Sequence, residues 1–571
     1  MQEQVASREE TKASEPRYKI KIEKDVDIPM RDGTRLKADV FRPDDGGRFP
    51  ALINIGLYQK DKLWTPPPDL EEKPNPYMNW ETVNPMWWIP RGYAAVRVDT
   101  RGAGTSPGQT APFTLQEMTD FYDAIEWSAR QPWCNGRVAT MGISYYAQTQ
   151  WWVANLKPPS LKAMIPWEGR ADQYRDASYH GGIFGIGFVT TWFTTHMAHH
   201  LLGRAHHGNP DTFQFNYLRF LMGNSLDSGA FRDAQAQWDR IDIPFLAAGN
   251  WSGNIGQHLR GATEGFMRAA SRHKKLRIHT GTHYHPFYSE DGRRDQLRFL
   301  DHWLKDVDTG VMNEPPVKLA IRRGKGESEW RHENEWPLAR TQWTRLYLDL
   351  SRPGEREGVH GRLARMNPAK PASAGYVASG ATRAGHASSS ATSQTAGSLA
   401  PMGISFESGP LSEDTEITGP LAAVLWVSSI TEDMDVFLTL RNIGPDGKDV
   451  FEVGQQGQDV AVTKGWLRAS HRELDPELTL PYRPYHKHIR RQYLEPGEVV
   501  RLDIEIWPTS MVFGKGHRIR LDIQPRDGIC SAPFTHYHAD YNTGTNTIHA
   551  GGARASYLLL PVIPAAPQAS R

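Results

Sequence analysis

The sequence predicts an α/β domain built on a mostly parallel sheet, with a helical insert, followed by an all-β domain. Three observations lead there. Between residues 49 and 143, short apolar runs alternate with loops and one helical pattern, in the order strand, loop, strand, helix, strand. Strands alternating with helices build parallel sheets, which are buried on both faces and so read as nearly continuous apolar runs. From 171 to 240 these runs give way to aromatic, His and Gly clusters with helix-like patches. After about residue 315, every patterned stretch alternates in strand fashion between Gly and Pro turns.

The elements follow in chain order. Residues 1–17 are polar and charged and read as a disordered start. Tyr18 to Val26 and Leu36 to Phe41 alternate around the turn Met30-Arg-Asp-Gly-Thr34, an entry hairpin. Phe49 to Ile55 and Gly92 to Val98 are sheet strands, separated by a long Pro- and Trp-rich loop from 64 to 90. Asp120 to Ala129 has apolar residues at helical spacing, and Val138 to Ile143 is the next strand. Leu161 to Pro166, Ile243 to Ala248 and Leu276 to Thr280 continue the sheet, closed by a helix from Asp295 to Leu304. The expected units are an α/β core at 18–170 and 241–313, a helical cap at 171–240, and a β-sandwich of jelly-roll type at 314–571. The β unit begins with Val317 to Arg322 and carries an Ala/Ser/Gly/Thr-rich flexible loop at 368–400.

Bulk properties narrow the class. A chain of 571 residues exceeds one core. A formal charge of +1 gives no argument for a nucleic acid or an anionic membrane as partner. Cys134 and Cys530 lie far apart without metal-ligand spacing and read as reduced thiols. The start lacks the apolar stretch of a signal peptide, and no run of about 18 apolar residues occurs. The expectation is a cytoplasmic chain acting on a small molecule; a homo-oligomer is one option that the sequence does not decide. His196 and His200 share a helix face at i, i+4, but no Glu follows His196 and no third ligand can be placed. No metal and no organic cofactor is therefore expected.

The most chemical stretch is Gly142-Ile-Ser144-Tyr145, where an apolar strand turns abruptly into a helix with Ser144 at the corner. It resembles the nucleophile elbow of an α/β-hydrolase, although Tyr146 stands where the second glycine is usual. A serine hydroxyl is a poor nucleophile, so it must stand clear of the sheet within reach of a base. The N–H of the next residue, Tyr145, then points at the oxyanion that forms.

Taken together, Met30-Arg-Asp-Gly-Thr34, Tyr58-Gln-Lys60, Asp99-Thr-Arg-Gly-Ala-Gly-Thr-Ser106 and Gly142-Ile-Ser144-Tyr145 resemble the cocaine-esterase and X-Pro dipeptidyl-peptidase family of serine hydrolases, CocE/NonD, over about residues 20 to 562. The resemblance implies an α/β-hydrolase core, a helical cap and a β-sandwich over the pocket, with hydrolysis of esters or amides through an acyl-enzyme. It also implies that Tyr58 OH and Tyr145 N–H hold the oxyanion. The family's acid position is occupied by Ser252, in Gly249-Asn-Trp-Ser252-Gly253. The family's usual histidine spacing selects His285; relatives with a Gly-x-His-x-x-Pro-Phe-Tyr run select His283.

The base expected for Ser144 is thus His283 or His285, with His283 favoured. Glu168 is the candidate acid, because it ends the strand next after the elbow; the competing reading is a salt bridge to Arg170 or Arg175. Glu264 is more simply an ion pair with Arg260 at i, i+4. Asp99 and Arg101 should brace a strand-end loop, and Asp120 and Asp123 should be a solvated or capping face. Trp64, Trp80, Trp87, Trp88, Trp151 and Trp152 suggest a bulky apolar ester or amide substrate, with several of them in the core. The function expected is a carboxylesterase-like serine hydrolase. An Xaa-Pro-type peptidase, an acyltransferase, or a non-catalytic ligand-binding relative that has lost its acid are the alternatives.

Overall fold

A computed structural model describes residues 13–62, 64–70, 72–198, 216–253, 257–378, 403–529, 535–536 and 543–564. Ten strands form the first sheet: β1 (Ile20–Pro29), β2 (Arg35–Pro43), β3 (Phe49–Gly56), β4 (Ala94–Asp99), β5 (Cys134–Ile143), β6 (Leu161–Trp167), β7 (Phe245–Asn250), β8 (Lys274–His279), β9 (Val317–Gly324) and β10 (Glu327–Glu333). Their order is β1-β2-β4-β3-β5-β6-β7-β8-β9-β10. The run from β4 to β9 is parallel throughout, and β1, β2 and β10 are antiparallel additions. Every residue of β3 and β4 is buried, as a sheet covered on both faces requires. Two apolar clusters fill these faces, one around Phe121, Trp151 and Phe245, the other around Trp88, Trp167 and Phe299.

The α/β sheet continues past residue 313, the expected edge of the core. Val317 to Arg322 belongs to β9, which pairs in parallel with β8 through Leu276↔Val317, so the α/β sheet runs on to Glu333. The expected disordered start is corrected for residues 13–17: Ser14 donates to Asp301, and the Arg17 amide donates to the Pro90 carbonyl. Residues 1–12 lie outside the described residues.

The second domain is one sheet rather than two separate ones. Thr415–Ser429, Val500–Phe513, Thr463–Arg468, Asp435–Ile443, Arg518–Gln524, Ile404–Glu407, Gly361–Ala364, Gln342–Asp349 and Tyr557–Ile563 pair in that order, and the last returns to the first. This nine-strand ring replaces the expected jelly-roll sandwich of two sheets, because Thr415–Ser429 pairs with Val500–Phe513 along one edge and with Tyr557–Ile563 along the other. Part of the expected flexible loop is also a strand, Ala372–Ala378, paired with Gly544–Ala550; residues 379–402 lie outside the described residues. Within 171–240 the described residues hold two short α-helices, Ile186–Trp192 and Tyr217–Gly223, with π-helical turns and a small hairpin. Among the described residues no helix is long and apolar enough to cross a membrane.

Candidate active site

β5 ends at Ser144, whose backbone is left-handed (φ 55°, ψ −109°). Its amide donates to the Trp167 carbonyl over 3.0 Å, and its carbonyl accepts the Ala147 and Gln148 amides of the helix Tyr145–Ala154. Tyr145 opens that helix, so its N–H has no intrahelical acceptor. Gly142 is required by closeness: a Cβ there would lie 2.5 Å from the Tyr146 Cβ and 3.2 Å from the Glu81 carbonyl oxygen. Tyr146, which stands where a second glycine is usual, is accommodated by Gly56, where a Cβ would lie 2.5 Å from the Tyr146 ring. Gln59, Glu81 and Glu168 also have positive φ. Strain of this kind persists only where the surroundings enforce it.

The imidazole within hydrogen-bond distance of Ser144 belongs to His258: Oγ lies 3.2 Å from Nε2. His258 Nδ1 donates to Gln455 Oε1 over 2.8 Å, which leaves the Nε2 lone pair toward the hydroxyl. Glu168 Oε2 is 3.7 Å from the same Nδ1. His283 stacks on His258 at 4.6 Å between ring centroids. It lies between two buried carboxylates, with Nδ1 2.6 Å from Glu168 and Nε2 3.0 Å from Glu81. Glu168 also accepts His279 Nε2 at 2.6 Å and Asn250 Nδ2 at 3.2 Å.

The electrostatics follow from this packing. Burial opposes charge on Glu168, but His283 and His279 prevail and hold it down at about 2. Burial also opposes charge on His283, but Glu168 and Glu81 outweigh it and raise it to about 10. With both ring nitrogens on carboxylates, His283 is an imidazolium. His258 is pushed down to about 3, by burial first and by the His283 charge next, and is neutral. Burial raises Glu81 above the usual carboxylate range against the pull of His283. Glu168, His258 and His283 each offer one ligand atom within 4.8 Å of the others and could hold a metal ion. The donors already have partners, however, and His283 would have to lose a proton to become a ligand.

The family profile of X-Pro dipeptidyl-peptidase (S15 family) matches residues 32–285, and that of the X-Pro dipeptidyl-peptidase C-terminal non-catalytic domain matches residues 309–559. A CocE/NonD family hydrolase from Staphylococcus aureus superposes with a TM-score of 0.84 at 30% identity, covering 95% of this chain and 94% of that one. The chain belongs to the CocE/NonD family of serine hydrolases. Cocaine esterase of a Rhodococcus species is 24% identical over 621 residues, 95% of this chain and 98% of that protein. An aminopeptidase from a Thaumarchaeota archaeon shares the fold, with a TM-score of 0.69 at 19% identity, covering 96% of this chain and 97% of that one.

In this CocE/NonD hydrolase the sequence-derived residues fall as follows. Glu168 and His283 are brought together, and neither Arg170 nor Arg175 pairs with Glu168; Arg175 takes Asp172 and Asp227 instead. His285 opens the short helix His285–Tyr288, and among the described residues its side chain has no hydrogen bond to Ser144 or Glu168. Ser252 meets Thr280 at 3.1 Å and Arg322 at 3.3 Å, so no carboxylate stands at the family's acid position. Tyr58 Oη accepts Trp192 Nε1 at 2.9 Å, which leaves its own O–H to donate, and its ring packs on Tyr145. His196 packs on Tyr58 and Trp80; His200 lies outside the described residues. Trp64 and Trp80 flank Tyr284, while Trp88, Trp151 and Trp152 are core.

Asp99 and Arg101 do brace their loop, through the Lys60 and Thr105 amides and through Asp120 and Asp32. Asp120 is consequently buried rather than solvated, whereas Asp123 pairs with exposed Arg31. Glu264 pairs with Arg268 and Arg483, not with Arg260, which turns to Asp176 and Glu505. Sequence reasoning gave no role to His258, His279, Glu81 or Gln455. His258 had one available signal, a polar residue in the loop after a parallel strand, where such sheets place their ligands.

Proposed function

We propose that this hydrolase cleaves carboxylic esters through an acyl-enzyme on Ser144. The 3.2 Å approach of Ser144 Oγ to His258 Nε2 carries the reading. Ser144 Oγ attacks the carbonyl carbon while its proton passes to His258. The carbonyl oxygen, now an oxyanion, receives the Tyr58 O–H and the Tyr145 N–H. The imidazolium returns its proton to the leaving oxygen, releasing the alcohol and leaving an ester on Ser144. Water repeats the sequence, with His258 as base, and releases the acid.

His258 held down at about 3 is a weak base in the resting site. The charge that is new during attack is the oxyanion on the substrate, and it favours the imidazolium of His258 in the transition state. The 2.6 Å Glu168–His283 pair favours a second assignment, with His283 as base; this requires Nε2 to leave Glu81 for Ser144. Labelling with a fluorophosphonate probe and the burst of 4-nitrophenolate from an activated ester test the main reading. An adduct on Ser144 and a stoichiometric burst are expected, and full turnover by Ser144→Ala would sink it.

A further inference from the structure

Among the described residues, Arg170 is a buried cation without an anion. It is 3% exposed, and its Nε and Nη1 have no hydrogen-bond acceptor among the described residues. Its polar contact is the Tyr217 hydroxyl. Other buried arginines are matched: Arg260, Arg277, Arg298, Arg468 and Arg483 each meet a carboxylate. Arg97 donates through both Nη atoms to backbone carbonyls, with its Nε unpartnered, and Arg322 donates to backbone carbonyls through Nε and Nη2. A buried charge left unpaired costs several kcal/mol, on the order of a sizeable part of a domain's stability. The nearby acid does not relieve it, because Asp176 is held by Arg260 and by the Ala171 and Asp172 amides.

Its position gives the charge a use. Arg170 follows Glu168 by two residues and Trp167 by three, and the Trp167 carbonyl anchors the Ser144 amide. Three residues span at most about 10 Å. The guanidinium lies 5.0 Å from the Phe113 ring and 5.9 Å from that of Phe188. Phe113 in turn stacks on Trp192, which donates to Tyr58, and touches the Tyr145 ring at 5.3 Å. The unpaired cation and the two oxyanion donors therefore share one aromatic wall. A group bound beside those donors belongs to the acyl half of the substrate, which stays in place through both chemical steps.

We propose that Arg170 is the receptor for a carboxylate carried by the substrate, so that the enzyme acts on esters whose acyl chain ends in an acid group. This rests on the acyl-enzyme reading above. A guanidinium with donors unpartnered on Nε and Nη1 can pair with a carboxylate through charge and a single charge-assisted hydrogen bond.

Mono-4-nitrophenyl adipate and the 4-nitrophenyl ester of monomethyl adipate share the reacting ester and differ in that charge and one methyl group. After correction for spontaneous hydrolysis, kcat/KM should favour the acid by about 10- to 100-fold. Arg170→Met should bring the ratio to near one, and Arg170→Lys should retain part of it. A wild-type ratio near one overturns the proposal, as does a ratio unchanged in an Arg170→Met protein that still labels at Ser144. Should Arg170→Met fail to fold, adipate must slow fluorophosphonate labelling of the wild type while dimethyl adipate does not; equal effects overturn it. Calorimetry with adipate separates the two readings. Binding by a wild type that does not label upholds the anion site and overturns the hydrolase; labelling without adipate binding does the reverse.

Discussion

Gln455 Oε1, carried by the β-domain, accepts the Nδ1 proton of His258 in the α/β domain over 2.8 Å. The Gln455 carbonyl also accepts the His283 amide over 2.9 Å. One residue of the second domain thus fixes the tautomer of one histidine and the backbone of the other. Which nitrogen of an imidazole is free depends on the bond made by its other nitrogen. Gln455→Ala should lower kcat on an activated ester by about 10-fold or more with little change in KM. Gln455→Glu should restore part of the rate and move the acidic limb of the pH–kcat profile upward, since a carboxylate favours the imidazolium. Steady-state kinetics across pH check both.

His258 and His283 should respond differently to substitution. His258→Gln removes the group on Ser144 and should lower kcat by about 10²- to 10⁴-fold with the fold kept. His283→Gln leaves Glu81 and Glu168 facing each other without a cation, so it should cost stability, about 3 kcal/mol or more. Chemical denaturation and single-turnover kinetics on both variants decide. A His283→Gln protein of normal stability without turnover would transfer the base role to His283.

The Glu168–His283 pair sets a stability window. Glu168 is held down at about 2, so its contribution is present above the unfolded carboxylate range and is lost as pH falls toward 2. His283 is raised to about 10, so its contribution is complete below about pH 6.5 and is lost as pH rises through 10. The stability difference between wild type and His283→Gln should therefore shrink steadily from pH 6.5 to 10. Urea midpoints at a series of pH values measure it.

Acid should act elsewhere. His180, His471 and His486 are buried and pushed down to about 3, and His488 lies well below its ordinary value; burial is the first cause for each. They line the contact between the 171–240 segment and the β-domain, where Gly181 and Gly182 pack on Trp466 and His471. Such groups bind protons only on unfolding, so their contribution is present above about pH 6.5 and is lost as pH falls below it. Each adds up to about 1.4 kcal/mol per pH unit to the slope. His488→Phe should make the acid slope shallower; an unchanged slope would refute the assignment.

The sequence by itself determined the parallel sheet, the elbow at Ser144 and the strand end at Glu168. Each is a local pattern: an apolar run, a glycine where the backbone approaches closely, a residue at a strand's carboxyl end. Tertiary structure decided the rest. From three loops far apart in the chain, His258 reaches the serine, Gln455 reaches His258 and Glu81 reaches His283, and Gln455 comes from the other domain. The ring closure of the β-domain likewise depends on which edges of Thr415–Ser429 find partners, which strand periodicity alone does not encode. Spacing could nominate His283 and His285, but only packing decides which imidazole is neutral beside the hydroxyl and which is charged between two carboxylates. That choice depends on burial and neighbouring charge, which are properties of the fold.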